Sequence, residues 1–376
     1  MAKIEVKNLG HSYNGRDQIL KTFDFTWEDG TTYALLGPSG CGKTTLLNIL
    51  SGLIKPSQGQ VLIDGKEVSS LGPDRRNIGQ VFQFPVVYES MTVRQNLEFP
   101  LRRRQVSLAH IKDRVEKVSA ILELEERLDN TAASLPPHMK QLISLGRGLV
   151  REDINAILLD EPLTTIDPGK KAFIRRKLRE FHYNQPVTMI LVTHDQTEAL
   201  TFADQVLVMK DGMIVQAGSP EEIFARPSHP FVGMFVGSPG MNFFKTTIHP
   251  DGLTLHSREY GIFKPETWQS KEQANNGELL AGIRPQHVKV VEKSADKPSG
   301  FRISGTVRNI QYKSACKILE IETQAQQPMP IKVSVPTHVR FKHNQELCLE
   351  LPFEQISLFP DHNINDISAN KSNLWD

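Results

Sequence analysis

Apolar and polar positions change period repeatedly through the first two-thirds of the chain. Phe23, Phe25 and Trp27 alternate with polar residues, the two-residue period of a strand with one buried face. A Glu28-Asp29-Gly30 turn separates them from the apolar run Tyr33 to Leu36. A helix is expected from Lys43 to about Gly52, and helical spacing returns at Ile111, Val115, Val118 and Leu122 and at Ile174, Leu178 and Phe181. Short apolar runs at Ala156 to Leu159 and Met189 to Val192 predict buried strands. This β–loop–α alternation predicts a largely parallel α/β sheet. Val206 to Met209, an Asp211-Gly212 turn and Met213 to Gln216 predict a hairpin that closes the region.

The pattern breaks at Val236-Gly237-Ser238-Pro239-Gly240-Met241, a linker by its turn chemistry. Beyond it the apolar runs are short: Gly305 to Ile310, Lys317 to Ile321, Ile331 to Val335 and Glu346 to Leu351. They predict an all-β second domain. The expected division is therefore residues 1–235 and 236–376. The Asn-, Ser- and Asp-rich stretch from Asp361 to Asp376 is expected to be loosely ordered.

A length of 376 residues fits two domains. Lys and Arg number 44 against 43 Asp and Glu, so no nucleic-acid footprint is expected, and Arg102-Arg103-Arg104 reads as a solvated face. The three cysteines, Cys41, Cys316 and Cys348, exclude a disulfide framework and suit a reducing compartment. Met1 to Val6 starts in strand-like alternation, so no signal peptide is expected. The apolar runs are too short to span a bilayer, so any pore this chain serves is expected from another subunit.

Chemistry concentrates in Gly37-Pro38-Ser39-Gly40-Cys41-Gly42-Lys43-Thr44, which matches G-x-x-x-x-G-K-[ST] between an apolar strand and a helix. In that setting backbone N–H groups wrap a β-phosphate and the helix N-terminus adds a favourable dipole. Lys43 is placed to neutralise β- and γ-phosphate oxygens, and the Thr44 hydroxyl to ligate Mg²⁺. Ile157-Leu158-Leu159-Asp160-Glu161 is an apolar strand ending in two carboxylates, where parallel sheets bind ligands. Asp160 is the expected Mg²⁺ partner through water, and Glu161 the group that polarises the attacking water.

With these motifs on residues 1 to about 235, the chain resembles the ABC transporter ATPases. The resemblance implies a P-loop α/β domain with antiparallel-β and helical subdomains. It implies that Tyr13 stacks on adenine, that Gln83 senses Mg²⁺ and links to a transmembrane partner, and that Thr45 joins the phosphate loop. It also implies that Thr164-Thr165-Ile166-Asp167 is the D-loop, with Asp167 at the nucleotide site, and that His194 contacts the γ-phosphate. Ala281-Gly282-Ile283-Arg284-Pro285-Gln286-His287-Val288 is similar to the marker stretch of the OB-like (TOBE-type) regulatory domain of importers for sugars, polyols and glycerol phosphate. Gln216 to Pro220 with Phe231-Val232 resembles the joint leading into that domain. The cofactors implied are ATP and Mg²⁺. The partners implied are two transmembrane permease subunits, a second ATP-binding subunit, and an extracytoplasmic solute-binding protein acting through the permeases. The place implied is the cytoplasmic face of the inner membrane, as a peripheral protein.

One landmark departs. The family's signature loop, Leu-Ser-Gly-Gly-Gln, here reads Leu135-Pro136-Pro137-His138-Met139. In the family this loop reaches across a dimer to the ATP of the other subunit. Pro136 removes a hydroxyl and an N–H, and Pro137 removes another N–H. Prolines are tolerated at a helix start, so the helix is expected to survive with its anion site weakened, and His138 or Lys140 to compensate in part at best. The favoured expectation is a heterodimer, with one competent site built from this chain's Walker residues and the partner's intact signature. A weakly active homodimer and a soluble ATPase without a membrane partner are the alternatives. The substrate stays open among sugars, polyols, glycerol and glycerol phosphate, with a lean toward glycerol or polyols by family analogy.

Overall fold

The computed structural model describes residues 2–104, 106–248, 254–257, 261–263, 278–292, 300–323 and 330–360; the expectation for Asp361 to Asp376 lies outside them. Contacts divide the chain into two units, Met1–Glu221 and Glu222–Asp376.

The first unit holds two sheets. An antiparallel sheet has the order β2 (Gln18–Trp27), β1 (Ile4–Ser12), β4 (Gln58–Ile63), β5 (Lys66–Glu67). The second runs β10 (Met213–Gly218), β9 (Gln205–Lys210), β3 (Thr32–Leu36), β8 (Thr188–Thr193), β7 (Ala156–Asp160), β6 (Ile78–Val81). Its strands are parallel except β10, which closes the predicted hairpin on β9. Strands β3, β7 and β8 are buried along their whole length, which is why they read as apolar runs without alternation. Their register sets Leu36 opposite Thr193 and Asp160 opposite Val192, so their C-terminal ends share one edge.

Helix α1 (Lys43–Ser51) follows the phosphate loop, and α2 (Pro73–Arg76) precedes β6. Between β6 and β7, α3 (Val93–Arg102), α4 (Leu108–Leu122) and α5 (Pro137–Leu149) pack on one another. Gly146 lets them approach: a Cβ there would lie 2.6 Å from Leu97 and 3.1 Å from Leu122. Helices α6 (Pro168–Asn184) and α7 (Gln196–Phe202) flank β8. Among the described residues no helix is long and apolar enough to cross a membrane.

Two buried arginines hold the first unit together by binding carbonyls. Arg76, 1% exposed, donates to Ile49 and Leu50 O at the end of α1 and to Leu71 and Ser69 O. A guanidinium at a helix C-terminus satisfies orphan carbonyls and meets the negative end of the helix dipole. Arg114 does the same for α5, donating to Leu149 and Val150 O while pairing with Glu152 at 3.1 Å.

After α8 (Pro220–Ala225) and α9 (Pro230–Phe235), the second unit is all-β, as the short apolar runs predict. One sheet has the order β13 (Gly261–Phe263), β12 (Leu255–Ser257), β11 (Asn242–Ile248), β14 (Glu278–Ile283), β20 (Ile356–Pro360). The other has the order β15 (Lys289–Val291), β19 (Glu346–Pro352), β16 (Gly300–Tyr312), β17 (Cys316–Thr323), β18 (Ile331–Pro336). Phe244, Phe301, Ile321, Val333 and Leu349 belong to one shared core. Contacts group residues 222–235 with the β unit, and Arg284 is one tie between them. It is 3% exposed, donates to Phe224, Gly233 and Val236 O, and stacks 4.1 Å from the Phe224 ring. Burial lowers its pKa to about 10. Residues 222–236 are thereby tied to the β unit.

Arg76→Ala strands four carbonyls, two at the end of the phosphate-loop helix and two at Ser69 and Leu71. It is expected to lower unfolding stability by about 3 kcal/mol, read as a shift in denaturant midpoint at unchanged slope. A shift below about 0.5 kcal/mol would show that the arginine is not a structural clamp.

Candidate active site

The phosphate loop leaves β3 at Leu36. Gly37 runs so close to β9 that a Cβ would sit 2.5 Å from Met209 O. Gly42 has φ 101°, and a Cβ there would press on Leu20 at 2.7 Å and Ile19 O at 3.0 Å. Gly42 caps α1 without a side-chain hydrogen bond, and the first turn carries no acid. The N-terminal N–H groups of α1 are thus left to an anion. Pro38, Ser39 and Gly40 form the outer bend of the loop. Burial pushes the Cys41 thiol pKa up, so this side chain packs as a small neutral group.

Lys43 is 6% exposed, and its ammonium donates to Gly37 O and Pro38 O at 2.8 Å each. An ammonium has three protons; the third faces only the weak acceptor Cys41 Sγ at 3.9 Å, which a phosphate oxygen would outcompete. The Thr44 hydroxyl donates to Asp160 Oδ1 at 3.2 Å. Asp160 is 5% exposed; burial raises its pKa, the Thr44 hydrogen bond opposes that, and the neighbouring Glu161 charge adds to it. A hydroxyl and a carboxylate oxygen at this spacing are hard donors that fit Mg²⁺, an ion commonly held by one or two protein groups plus substrate phosphates.

Glu161 is the centre of the arrangement. It has φ 45°, with its N–H bonded to Val192 O at 3.0 Å. Its Oε2 meets Gln83 Nε2 at 3.4 Å, Thr164 Oγ1 at 3.1 Å and His194 Nδ1 at 3.2 Å. Three loops, after β6, β7 and β8, converge on that one oxygen. Tyr13 is 63% exposed, sets its ring edge-on to His11 and bonds Thr45 Oγ1 through its hydroxyl at 3.1 Å. Its open ring face is a platform for a base.

Asp167 is placed differently from the other candidates. Its carboxylate accepts from Gly169 N at 2.8 Å and so caps α6. Residues that the motif reading did not single out stand behind His194. Thr193 Oγ1 takes the Asp195 N–H at 3.0 Å and donates to Glu198 Oε2 at 2.7 Å. The pattern Asp195-x-x-Glu198 is a capping-box spacing, the one signal by which the sequence marks this cluster.

The departing loop behaves as its prolines dictate. Pro136 is the N-cap of α5 at φ −67°, and Pro137 is the first helical residue. Met139 and Lys140 N–H groups both go to Pro136 O, at 3.0 and 3.2 Å. From Pro136 to Lys140 the first turn therefore offers an anion only the His138 N–H. The Lys140 ammonium pairs with Glu89 at 2.6 Å and is already engaged.

Comparison with known proteins agrees with this geometry. A family model described as ABC transporter matches residues 20–164, and one described as MalK OB fold domain matches residues 237–288. The trehalose import ATP-binding protein SugC of Mycobacterium tuberculosis is 37% identical over 288 residues, 77% of this chain and 73% of that protein. The sn-glycerol-3-phosphate import ATP-binding protein UgpC 1 of Rhizobium johnstonii is 31% identical over 359 residues, 96% of this chain and 94% of that protein. The solved structure of cbiO1 from Clostridium perfringens, part of the ABC transporter complex cbiONQ, aligns with a TM-score of 0.55 at 30% identity. It covers 59% of this chain and 90% of that one. With the P-loop domain, its carboxylate pair and the appended OB fold all accounted for, the chain belongs to the ABC transporter ATPases.

Proposed function

We propose that this chain is the motor subunit of an importer for a small polar solute (a sugar, polyol, glycerol or glycerol phosphate), working beside a second, different ATP-binding subunit. One observation carries the reading: the Walker half of the site is assembled and hydrogen-bonded, while the first turn of α5 offers a single free N–H. The import of trehalose and of sn-glycerol-3-phosphate by similar proteins supports the solute class.

In this reading adenine stacks on Tyr13, and the phosphates lie along Gly37 to Thr45. Backbone N–H groups of the new helix and the third Lys43 proton face the phosphate oxygens. Thr44, Asp160 and the Gln83 amide oxygen would hold Mg²⁺, which would supply charge neutralisation at the phosphates. Glu161 polarises the attacking water through Oε1, held in place by the three donors on its other oxygen. His194 lies beside it, placed for the γ-phosphate. Asp167 shapes the start of α6 next to the dimer partner's nucleotide. The partner subunit completes the site with an intact signature loop; the reciprocal site, completed by Leu135 to Met139, binds ATP and hydrolyses it slowly.

Two permease subunits are the membrane partners, with an extracytoplasmic solute-binding protein acting through them, and the chain sits at the cytoplasmic face of the inner membrane. The segment after Gln83 supports this: Phe84 is 74% exposed, and Val86 and Tyr88 are 49% and 40% exposed. Large apolar side chains grouped on a surface mark an interaction site.

Glu161→Gln is expected to slow phosphate release by about 100-fold or more with ATP affinity unchanged, measured by equilibrium binding and turnover on the assembled transporter. Undiminished turnover would remove Glu161 from the role of base. Restoring the signature with Pro136→Ser, Pro137→Gly, His138→Gly and Met139→Gln is expected to raise turnover of the purified full chain by about tenfold or more. No gain would mean that the prolines are not what limits the chain's own sites.

A further inference from the structure

Glu198 is a carboxylate at 3% exposure with no part in the chemistry described above. A buried charge is costly unless it is paired and hydrogen-bonded, so its neighbours define its purpose. Its Oε2 accepts the Thr193 hydroxyl at 2.7 Å, and its Oε1 lies 3.2 Å from Lys171 Nζ on α6. The same Thr193 hydroxyl accepts the Asp195 N–H at 3.0 Å. Asp195 in turn caps α7, taking the Thr197 and Glu198 N–H groups at 2.7 and 3.3 Å. His194 lies between the two ends of this loop, Thr193 and Asp195. The backbone on both sides of the histidine is therefore pinned, and its ring arrives 3.2 Å from Glu161 Oε2.

An ordinary capping box would turn the glutamate back onto the N–H of the capping residue. Here that N–H goes to Thr193, and the glutamate reaches the hydroxyl instead. The exchange inserts the last residue of β8 into the cap of α7, which fixes the histidine between strand and helix. Lys171 extends the tie to α6, the helix that begins at Asp167.

We infer that Glu198 is a positioning residue for His194: through Thr193 it holds the His194 loop in the conformation that sets the imidazole against Glu161. The inference rests on the proposed role of His194 in ATP hydrolysis. Glu198 acts through the histidine, so its contribution disappears when the histidine is gone, whereas a purely structural residue costs the same in either background.

The test uses the transporter complex purified through a tag on this chain, with turnover measured per ATP-binding site from labelled ATP. Glu198→Leu, which removes the acceptor of the Thr193 hydroxyl, is expected to lower kcat by roughly tenfold or more, with KM for ATP unchanged, because small misplacements of catalytic groups carry losses of that size. In a His194→Ala background, the same substitution is expected to change the residual rate by less than about twofold. An equal loss in both backgrounds, or an unchanged kcat in the first, overturns the inference. Should Glu198→Leu not fold, Thr193→Val carries the same test, with Thr193→Ser expected to restore the rate because it keeps the hydroxyl. Absence of hydrolysis in the unsubstituted complex would instead strike the ATPase role on which the inference rests, so the two failures are separable.

Discussion

The convergence of three donors on Glu161 Oε2 depends on the parallel register of the central sheet. Leu36, Asp160 and Thr193 end on one edge because β3, β8 and β7 pair in that register without a slip. A one-residue slip would turn every side chain to the opposite face. It would carry Thr44 away from Asp160 and His194 away from Glu161 at once. Because these strands are buried on both faces, close side-chain packing on either side of the sheet, and not a single apolar face, holds the register. The apolar runs that look featureless in sequence are therefore what places the chemistry.

Two helix N-termini in the first unit show how the same physics gives opposite results. Helix α1 begins at Gly42, in a left-handed conformation, and keeps its first N–H groups for an anion. Helix α5 begins at two prolines, which supply no N–H, and its next turn spends two more on Pro136 O. Both are stable helix starts, because proline suits the first helical position as well as glycine suits a strained cap. Their difference lies in what they present to a phosphate. In the proposed reading this asymmetry gives the chain one strong half of an ATP site and one weak half.

Much of this was legible in the sequence. The phosphate loop, the strand ending in Asp160 and Glu161, and the all-β second unit each follow from motif or period, because local backbone chemistry decides them. The proline effect at α5 was legible for the same reason. What escaped depends on contacts distant in sequence or on side-chain direction. That the Asp167 carboxylate caps α6 is a contact its motif does not announce. Lys140 looked available to compensate for the lost loop, but Glu89, in another segment, holds it. Arg284 reaches back over a long stretch of chain to residues 224–236, a tie that no local pattern records. Thr193 and Glu198 read as an ordinary strand end and helix cap until the structure joins them.

The central claim is that this chain holds one competent half of an ATP site and needs a different subunit to supply the other. The most direct measurement is steady-state ATP hydrolysis by the purified full chain alone, compared per ATP-binding site with the transporter complex isolated from membranes. The account predicts that the isolated chain binds ATP but turns over at least about tenfold more slowly than the complex, and that the complex contains a second ATP-binding subunit. Equal turnover by the isolated chain, or a complex containing only this ATPase, would contradict it.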